Sequence, residues 1–242
     1  MKRFALVCGA SGEIGQNICE KLASEGWSLY LHYFRNSEAI NHLAERFTKK
    51  YKEQEFIPVC ADFSAADGGD LLAAQIFSLQ AIVFANGHGY YSLLEDTPIN
   101  EMEKLWRVHM QNPMSLLAAV SKKLRSNNKS YVLFIGSIWG AVGAAGETVY
   151  SAVKGAQHSF VKAYAQEVAY NGIRVNAIAP GIIDTTMNHH LTLQEKNSIA
   201  EEIPLQALGQ TEDIANMIAF YLSGQADYVT GQIIHVNGGW YI

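Results

Sequence analysis

Short apolar runs recur along the chain. Between them lie stretches in which apolar residues return every three or four positions. The runs at 3–8, 28–33, 56–60, 81–85, 131–136, 174–177 and 233–236 read as strands. Ile14, Ile18 and Leu22 follow one another at a spacing of four, which defines one face of a helix. In the stretch SAVKGAQHSFVKAYAQEVAY, Phe160, Tyr164 and Val168 do the same. Strands that alternate with helices predict a parallel sheet covered on both sides. The unbroken run YVLFI agrees, because strands buried on both faces do not alternate with polar residues. No internal repeat or low-complexity linker interrupts the pattern, so residues 1–242 are expected to form a single domain. Residues 184–208 stand apart. They are polar, carry two histidines (His189 and His190) and several acids, and show no strand signal. Ligands of α/β sheets bind beyond the carboxyl ends of the strands, so this segment is expected to be a lid over a substrate.

Composition narrows the function. Apolar residues make up 49% of the chain and charged ones only 17%, enough to bury a large core and further surface in an oligomer. A net charge of -5 speaks against nucleic acid, which requires a clustered basic face. No apolar run reaches the ~18 residues of a membrane span. The opening MKRFALVCGASG runs straight into glycines and reads as a first strand, not a signal peptide. The cysteines Cys8, Cys19 and Cys60 lack metal spacing and are expected as buried free thiols in a reducing cytoplasm, with no metal site.

The first strand breaks into LVCGASGEIG, with Gly9, Gly12 and Gly15 spaced G-x-x-G-x-x-G. This is not the G-x-G-x-x-G dinucleotide fingerprint, but a strand precedes it and a helix follows, which is the setting of a phosphate-binding turn. A structural strand-to-helix turn is the other reading of the loop by itself. The second strand runs out into LHYFRN, with Arg35 where an NAD site places an acid for the ribose hydroxyls. Arg35 suits a 2′-phosphate and favours NADP(H) over NAD(H), a solvated loop cation being the alternative. Tyr150 and Lys154 are four residues apart, hence on one helix face. An adjacent ammonium is expected to lower the phenol pKa. Such a tyrosine can protonate a carbonyl oxygen as hydride reaches the carbon. Ser137 closes the strand YVLFIGS and can hold the same oxygen.

With CGASGEIG, ADFS, FIGSIWG, YSAVK, GIRVNAIAPG and YVTGQIIHVNGGW in this order, the chain resembles the short-chain dehydrogenase/reductase family over essentially its full length. The resemblance implies a Rossmann-type doubly wound parallel sheet of about seven strands in the order 3-2-1-4-5-6-7. It implies Tyr150 as acid/base, Ser137 as anchor of the substrate oxygen, and Lys154 bound to the nicotinamide ribose. Gly9, Ser11, Gly12, Ile14 and Gly15 would form the cofactor loop. Asp62 and Phe63 would meet the adenine, and Asn86 and Gly87 would lie along the cofactor. Pro180, Gly181, Ile183 and Thr185 would flank the nicotinamide and phosphates. A homotetramer or homodimer is the assembly implied, with the long helix and the tail at its interfaces.

Four positions depart from the family pattern. Cys8 replaces a threonine, Ala85 the central Asn of N-N-A-G, and Glu13 the middle glycine of the loop. A carboxylate about 5 Å from a phosphate costs roughly 3 kcal/mol at an effective dielectric of about 20, so Glu13 must point away, to solvent or a helix N–H. His109, in VHMQNP, takes the place of an Asn that supports a water in the proton relay. It is read either as a packed helix residue or as a residue that takes over the relay.

GIRVNAIAPG and the tail are most similar to bacterial 3-oxoacyl-acyl-carrier-protein reductases, which implies a ketone reductase acting on a small or carrier-bound carbonyl. Those enzymes grip their acidic carrier with basic residues where Asn128 and Asn171 stand here, although Lys129 adjoins the first. GSIWG, KGAQHSFVK and VHMQNP are closer to reductases of a 5-aminopentanone modification on elongation factor P. Glu147, Glu201 and Glu202 would suit such a cationic amine, or are simply solvated. A catalytically idle NADP-sensing regulator on the same fold is the third possibility.

Overall fold

The computed structural model describes residues 2–188 and 191–241, so His189 and His190 lie outside the described residues. The chain runs β1 (Phe4–Cys8), α1 (Glu13–Ser24), β2 (Ser28–Tyr33), α2 (Ser37–Lys50), β3 (Phe56–Cys60), α3 (Gly68–Ala73) and β4 (Ala81–Phe84). It continues through α4 (Ile99–Trp106), a π turn at Arg107–Gln111, α5 (Asn112–Arg125) and β5 (Ser130–Ile135). Then come α6 (Trp139–Val142), α7 (Thr148–Val168), β6 (Ile173–Pro180), α8 (Leu193–Glu202), α9 (Thr211–Leu222) and β7 (Ile233–Val236). Among the described residues the strands form one seven-stranded sheet in the order β3-β2-β1-β4-β5-β6-β7, parallel throughout. That is the architecture and strand order expected from the sequence.

Alternate residues of each strand serve opposite layers. Ala5 and Val7 of β1 pack with Ile18 and Leu22 of α1, Ile40 and Phe47 of α2, and Ile218 of α9. Leu6 and Cys8 face the other way, onto Leu72 of α3, Leu116 and Val120 of α5, and Val161 of α7. The apolar spacing of Ile18 and Leu22 is thus the buried face of α1. Phe160 and Tyr164 stack on each other with ring centroids 5.3 Å apart, half-buried against the second layer.

Three strands match their expected bounds, and β6 is longer than expected, running to Pro180. Residues 184–208 are more regular than expected, because they contain α8. Its start is written locally: Thr192 accepts from the Glu195 N–H while the Glu195 carboxylate accepts from the Thr192 N–H. A polar ten-residue helix offers little apolar period, so only the cap announces it. The cysteines are free, and Cys8 and Cys19 are buried as expected. Cys60 is instead exposed, because it ends the edge strand β3.

Candidate active site

The carboxyl ends of β1, β2, β3 and β4 open into a cavity of about 330 Å³. Gly9, Ser11, Gly12, Arg35, Asp62, Phe63, Asn86 and Gly87 all line it. A second cavity of about 120 Å³ lies at the ends of β5 and β6. Ile14, His109, Ser137, Tyr150, Lys154, Pro180, Gly181, Ile183 and Thr185 line that one. The two share Ala85, Asn86, Gly87 and His88 and so form one trough along the sheet end. Of the expected site residues, Gly15 lines neither cavity. It is buried at the base of α1, where an added Cβ would stand 2.1 Å from the Gly9 carbonyl oxygen.

The loop geometry follows from its glycines. Gly9 has φ +79°, and a Cβ there would lie 2.7 Å from the Asn86 backbone, so β1 and β4 can close on each other only at a glycine. Gly12 caps α1, and its own N–H bonds back to the Gly9 carbonyl at 3.1 Å. The free N–H groups of the α1 start therefore face the trough mouth with the positive end of the helix dipole. Both oxygens of Glu13 lie 3.1 Å from the Thr186 N–H, at the first residue of a short 3-10 turn, Thr186–Asn188. The carboxylate thereby ties the glycine loop to the segment beyond β6.

Two buried side chains that the motif reading passed over hold the outer cavity in shape. His32 accepts the Gly9 N–H at Nδ1 (3.1 Å) and donates from Nε2 to the Ala61 carbonyl (3.1 Å), which sets a neutral tautomer. Its ring lies 4.8 Å from that of Phe63. Asn112 accepts the Gly69 N–H at 2.7 Å and donates to the Phe63 and Ala65 carbonyls, pinning the turn that carries Asp62. In sequence, a lone histidine inside the apolar strand SLYLHY was the available signal for His32. Asp62 itself accepts from the Ser64 N–H and hydroxyl through one oxygen. Lys104 reaches the same cavity as Arg35, a second cation that the sequence reading did not place there.

Burial lowers the His32 pKa from 6.5 to about 4. The unfolded chain takes up this proton at higher pH than the folded one, so its contribution to stability is complete above pH 6.5 and is lost as pH falls toward 4. Unfolding by urea at pH 7.5 and at pH 5 should therefore differ by about 2 kcal/mol from this group. In His32→Gln that part of the difference should vanish. His158 shifts in the same direction by burial and leaves a remainder.

In the inner cavity, Ser137 stands two residues beyond the end of β5 and is buried, its Oγ accepting the Trp139 N–H at 3.2 Å. Tyr150 stands in the first turn of α7. It is partly exposed as a residue and lines the cavity. The expected lowering of its pKa is not found. Burial raises it above the ordinary phenol value, the charge of Glu147 adds to the rise, and a hydrogen bond with Ser137 opposes it. The reason lies in Lys154, which is itself buried and lowered to about 7 by desolvation. Its Nζ donates to the Ile135 carbonyl at 2.8 Å and sits 5.6 Å from the Tyr150 ring centroid. A partly discharged ammonium at that distance does not offset desolvation of the phenolate.

His109 lies in the π turn, a helix irregularity common at functional sites. Its Nε2 donates to the His88 carbonyl at 3.1 Å, its ring meets that of Tyr150 edge-on at 5.7 Å, and its Nδ1 has no protein partner. Burial and then the Lys154 charge hold its pKa well below 6.5, so it is neutral. Gly87 is the counterpart of this ring, since a Cβ there would lie 2.3 Å from His109 Cε1. Beside Ser137, Trp139, Trp240 and Tyr241 form an aromatic cluster with centroids 5.2–5.6 Å apart, also unanticipated. Among the described residues no group of three His, Cys, Asp or Glu side chains could hold a metal, and no helix is long and apolar enough to cross a membrane.

Comparison with known proteins agrees with this fold. The model of a family described as Enoyl-(Acyl carrier protein) reductase matches residues 9–241. The uncharacterized oxidoreductase YmfI of Bacillus subtilis (strain 168) is 42% identical across the whole of both chains. The 3-oxoacyl-[acyl-carrier-protein] reductase FabG of Staphylococcus aureus (strain Mu50) is 32% identical over 100% of this chain and 99% of its own. The crystal structure of YwfH, an NADPH dependent reductase involved in bacilysin biosynthesis, superposes with a TM-score of 0.92. It is 25% identical and covers 100% of this chain and 99% of that one.

Proposed function

The chain belongs to the short-chain dehydrogenase/reductase family, and from that premise we propose that it is an NADPH-dependent reductase that turns a ketone into an alcohol. The observation that carries this reading is the inner cavity, where Ser137, Tyr150 and Lys154 meet at the end of the trough. The trough suits a dinucleotide. It offers left-handed Gly9, the α1 N-terminus, and a buried acceptor, Asn86 Oδ1, without a protein partner. NADPH, when bound, supplies the hydride. Gly9, Ser11, Gly12 and Ile14 would hold its pyrophosphate, and Asp62 and Phe63 its adenine. Pro180, Gly181, Ile183 and Thr185 would flank its nicotinamide. Gly15 serves by shaping the loop.

Tyr150 begins protonated, as a proton donor must, because burial keeps the phenol neutral. The Ser137 hydroxyl donates to the ketone oxygen and orients it toward the Tyr150 O–H. Lys154 in its charged form stabilises the phenolate left behind. His109 takes the place of the family's Asn through its bare Nδ1, an acceptor in the relay and not an imidazolium.

Arg35 is assigned to the 2′-phosphate. Arg35→Ala should weaken NADPH by about tenfold or more, the worth of a charge-assisted hydrogen bond, and NADH by less than about twofold. Fluorescence titration with both cofactors checks this, and equal losses would remove the assignment.

For the substrate, the FabG resemblance favours a 3-oxoacyl thioester. One observation weakens its carrier-bound form and leaves room for the amino-ketone reading: Lys129, which adjoins Asn128, is bound to Asp227. NADPH oxidation with an acetoacetyl thioester and with a 5-amino-2-pentanone separates them. The thioester reading requires the higher kcat/KM on the first, and no turnover on any carbonyl would favour the NADP-sensing alternative. We assign a homodimer or homotetramer contact to the long helix and the tail, beside which Tyr170 and Tyr228 are fully exposed.

A further inference from the structure

The π turn and the catalytic helix are joined by a side chain to which the mechanism above gives no role. In a regular α-helix the His109 carbonyl would accept from the N–H of residue 113. Residue 113 is proline and has no N–H, so the α-helical donor to that carbonyl is missing. Gln157 provides a side-chain donor. Its Nε2 donates to the His109 oxygen at 3.2 Å. Its Oε1 lies 3.4 Å from Lys154 Nζ, at the long end of hydrogen bonding. Gln157 stands one turn after Lys154 on the same face of α7 and is 2% exposed, so no solvent competes for the amide.

We propose that Gln157 is a positioning residue for Lys154: its amide clamps the ammonium between the Ile135 carbonyl and the backbone of the π turn, and so sets both the aim and the proton affinity of the lysine. The amide neither gains nor loses a proton in this range, so its effect is orientation and charge stabilisation only. An acceptor on the charged form favours that form. The other groups that face Lys154 are Tyr150 and His158 on its own helix and His109 on the π turn. Strand β5 presents the Ile135 carbonyl and is followed by the Ser137 hydroxyl, and Glu147 acts on Tyr150. No carboxylate among the described residues is hydrogen-bonded or ion-paired to Lys154, which leaves the Gln157 oxygen and the Ile135 carbonyl as its acceptors.

The inference rests on the reductase reading for its consequence, but its test does not. Lysine labelled at Cε reports the Lys154 titration by NMR in the full chain without substrate, with Lys154→Arg for assignment. Gln157→Met keeps the volume and removes the acceptor, and Gln157→Glu keeps the acceptor and adds charge. The Lys154 midpoint should fall by about 0.5–1 pH unit in the first and rise by about 1 or more in the second. The pH profile of kcat should follow, with kcat lower by about fivefold in Gln157→Met and KM within about twofold. Midpoints that stay put in either folded variant overturn the inference, even if ketones are reduced. If Gln157→Met does not fold, the Glu variant alone decides. Midpoints that move oppositely in a protein that reduces no ketone uphold the link and discard the reductase reading instead.

Discussion

Tyr150→Phe should abolish ketone reduction to within about a thousandth of the parent kcat, the scale of a lost general acid. NADPH affinity should change by less than about threefold, because the ring stays and only the hydroxyl leaves. The fold should tolerate the change. Tyr150 keeps its place through its ring, edge-on to His109. Its hydroxyl is a buried group whose ionised form the site disfavours. Single-turnover NADPH oxidation and cofactor titration on the same sample measure the two quantities. A variant that kept a tenth of the parent rate would remove Tyr150 from the chemistry. Since Lys154 is held near 7 and Tyr150 lies above its usual value, the proton-donating form of Tyr150 is present throughout the neutral range.

Gly15→Ala should be as damaging for a different reason. By helix propensity alone, alanine in α1 would stabilise the protein by about 1 kcal/mol. The added Cβ would instead stand 2.1 Å from the Gly9 oxygen and 2.9 Å from the Gly9 carbon, both backbone atoms that cannot rotate aside. The loop must open for the helix to form. NADPH affinity should fall by about 100-fold or more, equivalent to about 2.7 kcal/mol, with a lower thermal midpoint. Gly12→Ala is the control. It has φ -81°, and its Cβ would meet the Gly9 oxygen at an ordinary 3.5 Å, so the midpoint should hold. Equal NADPH affinity in Gly15→Ala and the parent would show that the loop does not shape the cofactor site.

Much of this was legible beforehand because it is periodic or local. Strands β2, β3 and β7 ended where their apolar runs ended. Ser137, Tyr150 and Lys154 could be paired by spacing along one strand end and one helix face. The Glu13 carboxylate took one of the two places expected for it, the N–H at the start of a short 3-10 turn. Helix α8 was written in its Thr192–Glu195 cap but not in its apolar pattern, which is too sparse to show a face. The exposure of Cys60 depended on β3 being the sheet edge, a property of strand order and not of the strand.

The residues that went unread share one character: each acts through a partner distant in the chain. His32 joins the glycine loop to Ala61 because parallel pairing sets β2 between β1 and β3. Asn112 reaches back 49 residues to Phe63. Gln157 joins the neighbourhood of Lys154 to the His109 carbonyl, 48 residues back in the chain. The direction of the Tyr150 shift belongs with these. Spacing placed an ammonium one turn away, but desolvation of both groups depends on how the layers close over them. Sequence by itself determined the strands, the helix faces and the chemistry that neighbours in the chain can share, because those follow from period and steric preference. Tertiary structure decided which polar groups were stripped of water and which distant partner satisfied them, because burial and long-range hydrogen bonds exist only once the sheet and its two helical layers have packed.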